Sequence, residues 1–256
     1  MKALLETRGL SKTFGGLKAV QNVDLAVGEN RIVSVIGPNG AGKTTFFNCL
    51  SGIYRPDGGE ILLDGRNIAG RPPHQVCRLG MSRTFQNIRL FPEMTVLENV
   101  LVAQFLHRSL SPLPLLLRST RFCARERGCR EEALGFLDFV GLKKCADAVS
   151  SSLAYGQQRR LEIARALAAK PRLLLLDEPA AGMNPQEAVE MVQLISRIRE
   201  RGLAILLIEH HMKVVMTISD EILVLDHGVP IAHGAPEQVR NDPQVIKAYL
   251  GDEISH

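Results

Sequence analysis

The chain has 256 residues, of which 45% are hydrophobic and 23% charged, with a formal net charge of +4. A chain of this length buries roughly 70–75% of its unfolded surface, which excludes a largely disordered state. Apolar runs such as Leu173 to Leu176 and Leu203 to Ile208 fall far short of a spanning helix, and the opening MKALLETRGL carries no sustained apolar core of the secretory kind.

Residues 1–70 alternate β-rich runs with glycine turns. Leu4 to Phe14, Lys18 to Val27 and Asn30 to Ile36 read as strands, and Asp57-Gly58-Gly59 precedes another at Ile61 to Leu63. A helix is expected after Gly42. Residues 87–150 have helical spacing instead, with Val96, Leu97, Val100, Leu101 and Leu106 on one stripe between Thr95 and His107. Pro112 and Pro114 predict a loop or broken helix at Leu110 to Leu117. Glu131 to Val140 is a further helix, stopped by Gly141. Residues 151–256 return to strand–helix alternation. Gln157 to Ala169 is a helix ended by Pro171, and Leu173 to Leu176 is a continuous apolar strand suited to a parallel sheet covered on both faces. Asn184 caps a helix with Pro185 in its first position, running to about Arg201 before Gly202. Leu203 to Ile208 is another buried strand.

Five cysteines, at 49, 77, 123, 129 and 145, form no CxxC pair. An odd count without that spacing fits neither a disulfide framework nor a zinc site, and fits a reducing compartment. Residues 71–130 hold ten arginines (71, 78, 83, 89, 108, 118, 121, 125, 127 and 130) against Glu93, Glu98 and Glu126. Such a patch serves an anionic lipid surface, nucleic acid or an acidic partner, or is simply a solvated helical face. Aromatics make up 5% of the chain, with no tryptophan, so a base-stacking platform for single strands is not expected.

Gly37-Pro38-Asn39-Gly40-Ala41-Gly42-Lys43-Thr44 matches G-x-x-x-x-G-K-[ST], the phosphate-loop or Walker A pattern. It follows an apolar strand and opens a helix, which is the context the motif requires. Glycines let successive backbone N–H groups converge on phosphate oxygens, and the helix start adds its positive dipole end. Lys43 is expected on the β- and γ-phosphates, Thr44 on Mg²⁺, and Thr45 beside them. The strand Leu173 to Leu176 runs into Asp177-Glu178. Asp177 is the expected Mg²⁺ acid and Glu178 the group that orients and polarises the attacking water. These two motifs alone define a P-loop nucleoside triphosphatase.

Leu153-Ala154-Tyr155-Gly156-Gln157-Gln158 resembles the LSGGQ signature of ATP-binding-cassette (ABC) ATPases. Gln86 resembles the Q-loop glutamine, His210 the switch histidine, Phe14 the adenine-stacking aromatic, and Ala181-Gly182-Met183-Asn184 the D-loop. The resemblance runs from about Leu4 to Leu250. Its finer match is to ATP-binding subunits of branched-chain amino acid importers, carried by Leu153 to Arg165, Asp177 to Pro185, Pro236-Glu237-Gln238-Val239 and Ala248-Tyr249-Leu250-Gly251.

This resemblance implies an α/β fold of the P-loop ABC ATPase kind. It has a mostly parallel core sheet, an antiparallel β subdomain and an inserted α-helical subdomain. One domain, 1–256, would comprise a core of 1–86 with 151–256 and a helical part of 87–150. Lys43, Gln86, Glu178 and His210 would be catalytic. Phe14, Gly37, Pro38, Asn39, Gly40, Ala41, Gly42, Lys43, Thr44, Thr45 and Asp177 would bind nucleotide. Leu153, Ala154, Tyr155, Gly156 and Gln157 would close over ATP held by a second ABC ATPase subunit, of the same or a sister chain. Thr44, Gln86 and Asp177 would hold the metal. Transmembrane permease subunits, and a solute-binding protein indirectly, would complete the machine at the cytoplasmic face of the inner membrane. No nucleic-acid partner is implied. The alternatives are an ATPase for another solute such as urea or an amide, one for lipopolysaccharide export, or a soluble non-transport ABC ATPase. The sequence departs from the family at Ala154, where serine is usual, and at Asn184, where aspartate is usual.

Overall fold

The computed structural model describes residues 3–107 and 120–253. They form two compact units, one of residues up to 86 with those from 172 onward, the other Asn87–Pro171. The second break falls after Pro171 rather than before 151, so the helix following the Leu153 segment groups with the helical unit. The reason is packing, since that helix is laid against the two other helices of its unit.

The first unit holds two sheets. The antiparallel sheet contains β1 (Ala3–Phe14), β2 (Leu17–Gly28), β4 (Gly58–Leu63) and β5 (Arg66–Asn67) in the order β2-β1-β4-β5. Register shifts along β1 bend the ribbon. The other sheet contains β3 (Ile32–Ile36), β6 (Met81–Arg83), β7 (Leu173–Asp177), β8 (Ala204–Ile208), β9 (Glu221–Asp226) and β10 (Val229–Gly234). Its order is β10-β9-β3-β8-β7-β6, parallel throughout except for the β9–β10 hairpin. Every residue of β3, β7 and β8 is buried. Continuous Val, Ile and Leu runs are what a two-sided parallel strand requires.

The helices of this unit are α1 (Lys43–Leu50), α2 (Pro73–Arg78), α6 (Pro185–Glu200), α7 (Met212–Ile218), α8 (Pro236–Arg240) and α9 (Pro243–Glu253). Helix α1 is anchored by Phe46, Phe47 and Leu50, all fully buried. At α6 the Glu187 N–H donates to Asn184 Oδ1 at 2.9 Å, and the Asn184 N–H donates to Glu187 Oε2 at 3.0 Å. With Pro185 in the first turn, this reciprocal cap fixes the helix start as the sequence predicts. It also commits the Asn184 side chain to its own helix.

The second unit contains α3 (Val96–Gln104), α4 (Thr120–Phe139) and α5 (Tyr155–Ala168). Helix α3 is started by a capping box between Thr95 and Glu98. The buried Asn99 amide ties the preceding loop down, donating to Phe91 O at 3.1 Å and Thr95 O at 3.0 Å while accepting from the Phe91 N–H at 2.9 Å. Helix α4 begins well before Glu131. The residues from 120 to 130 are charged on most faces and lack the apolar stripe that marks the rest. Gly141, at φ 76°, ends the turn after it. A buried Arg159–Glu162 pair lies on α5 at 3.5 Å. The expected loop at 110–117, together with Arg108 and Arg118, lies outside the described residues. No described helix is long and apolar enough to cross a membrane.

Candidate nucleotide site

The parallel sheet builds the site from strand ends. Val35 pairs with Ile208 on one side of β8, and Asp177 pairs with Ile208 on the other. The carboxyl ends of β3, β8 and β7 therefore lie side by side. β3 delivers the phosphate loop, β7 delivers Asp177 and Glu178, and β8 delivers Glu209 and His210. Loops beyond the carboxyl ends of parallel strands are where such folds place ligands.

The loop is shaped by backbone that only glycine adopts freely. Gly37, Gly40 and Gly42 have φ of 148°, 80° and 96°. A Cβ on Gly37 would stand 2.0 Å from Leu225 O, and one on Gly42 would stand 2.2 Å from Ala19 O. A Cβ on Gly40 would meet nothing within 4 Å, so that turn keeps open space in front of its backbone. Lys43 Nζ donates to Gly37 O at 2.6 Å and Pro38 O at 2.8 Å. The ammonium is thus folded over its own loop, with Pro38, Asn39 and Ala41 between. Thr44 is exposed on the first turn of α1, and Thr45 is half-buried. Glycine clearance, a helix start and one ammonium form an anion cradle that fits a nucleoside triphosphate.

Tyr249 on α9 packs against the cluster that includes Ile36 and Val224. Burial pushes its phenol up to about 12, and a hydrogen bond with the Gly37 backbone acts in the opposite direction. The carboxyl-terminal Tyr249 therefore supports the first glycine of the loop. Of the same tail, Val239 is buried, while the side chains of Leu250 and Gly251 lie outside the described residues.

The acids at the end of β7 differ in environment. Asp177 is buried and receives Arg83 Nη2 at 2.7 Å. Glu178 sits in left-handed backbone at φ 48°, its N–H donating to Ile208 O at 2.9 Å. Such backbone is unfavourable for a long side chain and clusters at functional sites. Gln86 Nε2 donates to Glu178 Oε2 at 3.0 Å, and His210 Nδ1 stands 3.6 Å from the same oxygen. Gln86, Glu178 and His210 are thereby gathered on one carboxylate.

Glu209, fully buried, organises the turn that carries His210. Its Oε1 accepts from the N–H groups of His210 at 2.9 Å and His211 at 3.1 Å, and stands 3.0 Å from His211 Nδ1. Its Oε2 accepts from the Ala180 N–H at 3.4 Å. Glu209, His210 and His211 bring donor atoms within 4.8 Å of one another. This acid holds the β8 loop to the loop after β7.

Phe14 ends β1 with 41% of its surface exposed and meets the Tyr54 ring edge-on at 5.2 Å. An exposed ring held by a neighbour is available to stack. The Leu153 to Gln157 segment belongs to the second unit. Ala154 is the residue preceding α5, with no side-chain cap, and its N–H donates to Gln157 Oε1 at 3.2 Å. Tyr155 is exposed, and its hydroxyl accepts from Arg159 Nη2 at 2.9 Å. Leu153 is buried and Gly156 lies in the first turn.

Two residues of the first unit's site escaped the sequence reading. Arg83 was counted among surface arginines, yet its side chain is only 6% exposed. Its one sequence signal is its place three residues before Gln86. Glu209 was passed over beside His210, although a lone acid ending a fully apolar strand is itself unusual.

Residues 20–181 match the ABC transporter family, and residues 229–254 match the family described as branched-chain amino acid ATP-binding cassette transporter. The chain is 53% identical to the high-affinity branched-chain amino acid transport ATP-binding protein BraF of Pseudomonas aeruginosa, covering 98% of this chain and 99% of BraF. It is 51% identical to LivG of Escherichia coli, covering 97% and 98%. The fold superposes on the ADP conformation of MJ1267, an ATP-binding cassette of an ABC transporter, with TM-score 0.84 and 31% identity over 98% of this chain and all of that one. It also resembles the dimeric post-hydrolysis cassette MJ0796 bound to ADP and Pi, with TM-score 0.77 and 26% identity over 91% and 98%. The strand-end site and these full-length likenesses agree, and the chain belongs to the ATP-binding-cassette family, among its branched-chain amino acid transport ATP-binding proteins.

Proposed function

We propose that this chain is the ATP-hydrolysing subunit that energises an importer of branched-chain amino acids. The observation that carries the solute is the near-complete alignment with relatives named for that transport. The chemistry is supported by the site itself.

The phosphate loop binds the triphosphate through its backbone N–H groups and the start of α1. Lys43 leaves the carbonyls of Gly37 and Pro38 for the β- and γ-phosphates, a short reach because it already overhangs the loop. Phe14 stacks on the adenine. Mg²⁺, when bound, spreads the negative charge that develops on the transferring phosphoryl group. Thr44, Asp177 and Gln86 are the residues that would hold it. The Glu178 carboxylate takes hydrogen bonds from Gln86 now and from the attacking water in the loaded site, orienting that water and receiving its proton as phosphorus is attacked. His210, beside the same carboxylate, contacts the γ-phosphate.

The Leu153 to Gln157 segment offers the positive dipole end of α5, with the Tyr155 and Gly156 N–H groups in its first turn, to the ATP of a partner cassette. A head-to-tail pair, of two copies or of this chain with a sister ATPase, then encloses each nucleotide, and hydrolysis releases the pair. Permease subunits transmit that cycle to the membrane, at whose cytoplasmic face the chain sits as a peripheral subunit. The test is reconstitution with cognate permease and solute-binding proteins in vesicles. ATP-dependent uptake of leucine, isoleucine or valine is expected. Uptake of an amide, or no uptake alongside normal ATP turnover, would reject the solute assignment.

A further inference from the structure

Arg83 is tied both to the acid at the end of β7 and to the helix that follows the phosphate loop. Its Nη2 donates to Asp177 Oδ2 at 2.7 Å, and its Nη1 donates to Asn48 Oδ1 at 2.7 Å and Ser51 Oγ at 2.9 Å. Asn48 is on α1, and Ser51 follows its last turn. Phe47 and Phe85 lie against the guanidinium, with ring centroids 5.5 and 5.1 Å from Cζ. The two charged side chains are 6% and 4% exposed. Ser51 Oγ in turn donates to Phe47 O at 2.8 Å, which orients it to receive the arginine.

Three elements meet on this one guanidinium. β6 supplies it, β7 supplies the acid, and the helix that opens at the phosphate loop supplies the neutral acceptors. A planar fork can bond an acid on one nitrogen and an amide and a hydroxyl on another, whereas an ammonium is a single point charge. Thr84 ties the β6 end to β7 as well, since its N–H donates to Leu175 O at 3.0 Å and its Oγ1 accepts from the Asp177 N–H at 3.4 Å.

We propose that Arg83 is a positioning residue for the metal-holding acid. It fixes the Asp177 carboxylate against the helix of the phosphate loop, so that acid and loop meet the incoming Mg²⁺–nucleotide as one preset unit. An outer partner of a metal-binding carboxylate typically affects metal affinity by roughly 10–100-fold. The inference rests on Asp177 as the metal acid.

The experiment uses the purified full chain, the Arg83→Lys and Arg83→Gln variants, Asp177→Asn, and Arg83→Lys combined with Asp177→Asn. Thermal melting identifies the folded variants. Arg83→Lys keeps a charge beside Asp177 and remains informative where Arg83→Gln does not fold. Binding of a fluorescent ATP analogue is read in EDTA and across a Mg²⁺ titration, without reference to turnover. For Arg83→Lys, metal-free binding is expected within about twofold of the parent. The Mg²⁺ concentration giving half of the metal-dependent binding change is expected to rise about tenfold or more. In the Asp177→Asn background the same arginine change should add nothing to that midpoint. An unchanged midpoint in folded Arg83→Lys, an equal loss of metal-free binding, or full additivity with Asp177→Asn would each overturn the proposal. An unaltered midpoint in Asp177→Asn alone would instead reject Asp177 as the metal acid, and the inference with it.

Discussion

The two helix starts to which the proposed function assigns phosphate are built differently. Helix α1 opens from a loop whose clearances are set by backbone, with carbonyls at 2.0 and 2.2 Å from any added Cβ. It is braced from below by Phe46 and Phe47 and from the side by Arg83. Helix α5 opens on Ala154, with no side-chain cap beyond the Gln157 carbonyl oxygen. The first is fixed by a buried parallel sheet and is complete within one unit. The second is a helix start beside an exposed Tyr155, held by its own residues through the Ala154 and Gln157 N–H bonds. On the proposed function, binding nucleotide and closing over it fall to separate structural units.

Substitutions can break that comparison from either side. The largest effect is expected at Lys43→Ala, which removes the only ammonium of the loop. Loss of charge-assisted bonds to phosphate at roughly 1.5–3 kcal/mol each should weaken ATP binding by at least about tenfold. Equilibrium binding of a fluorescent ATP analogue checks this, and parental affinity would remove Lys43 from the site. Gly42→Ala comes next. Its φ of 96° and the 2.2 Å approach to Ala19 O leave no room, so a loss of roughly 2–5 kcal/mol is expected in chemical denaturation. A change below about 0.5 kcal/mol would show that the loop tolerates a different path. Asn184→Ala removes the acceptor of the α6 cap and should cost about 1 kcal/mol. A thermal melt unmoved by this change would mean that the cap is idle.

The smallest expected effect sharpens the α5 side. Ala154→Ser restores a hydroxyl where the helix has no side-chain cap, and serine before a helix is worth about 0.5–1 kcal/mol over alanine. For a chain of this size the melting temperature should rise by roughly 1–4 °C. A fall would mean that the Leu153 segment is more tightly packed than its exposure indicates.

Much of this was legible in the residues. β7 and β8 announced themselves as unbroken apolar runs, because strands covered on both faces have no polar side to alternate, and β3 did so with Ser34 as its one polar interruption. The phosphate loop was legible because its glycines are demanded by backbone geometry. The Asp177–Glu178 pair was legible because two acids ending a buried strand are costly without a purpose. The Asn184 cap with Pro185 was legible, while its reciprocal partner Glu187 was not singled out. Less visible was the first part of α4, where charge on most faces erases periodicity. Arg83 could not be found by pattern, since an arginine in a basic stretch looks solvated until the fold brings Asp177 and Asn48 to it. The grouping of 151–171 with the helical unit was hidden for a similar reason. It depends on which helices α5 packs against, and adjacency in sequence does not report that.

The account depends most on Glu178 as the group that activates water on nucleotide held by the β3 loop. Glu178→Gln keeps the size and the hydrogen bond from Gln86 while removing the base. One preparation of this variant should bind ATP as the parent does and turn it over about 10²–10⁴-fold more slowly. Near-parental turnover by the same preparation would contradict it.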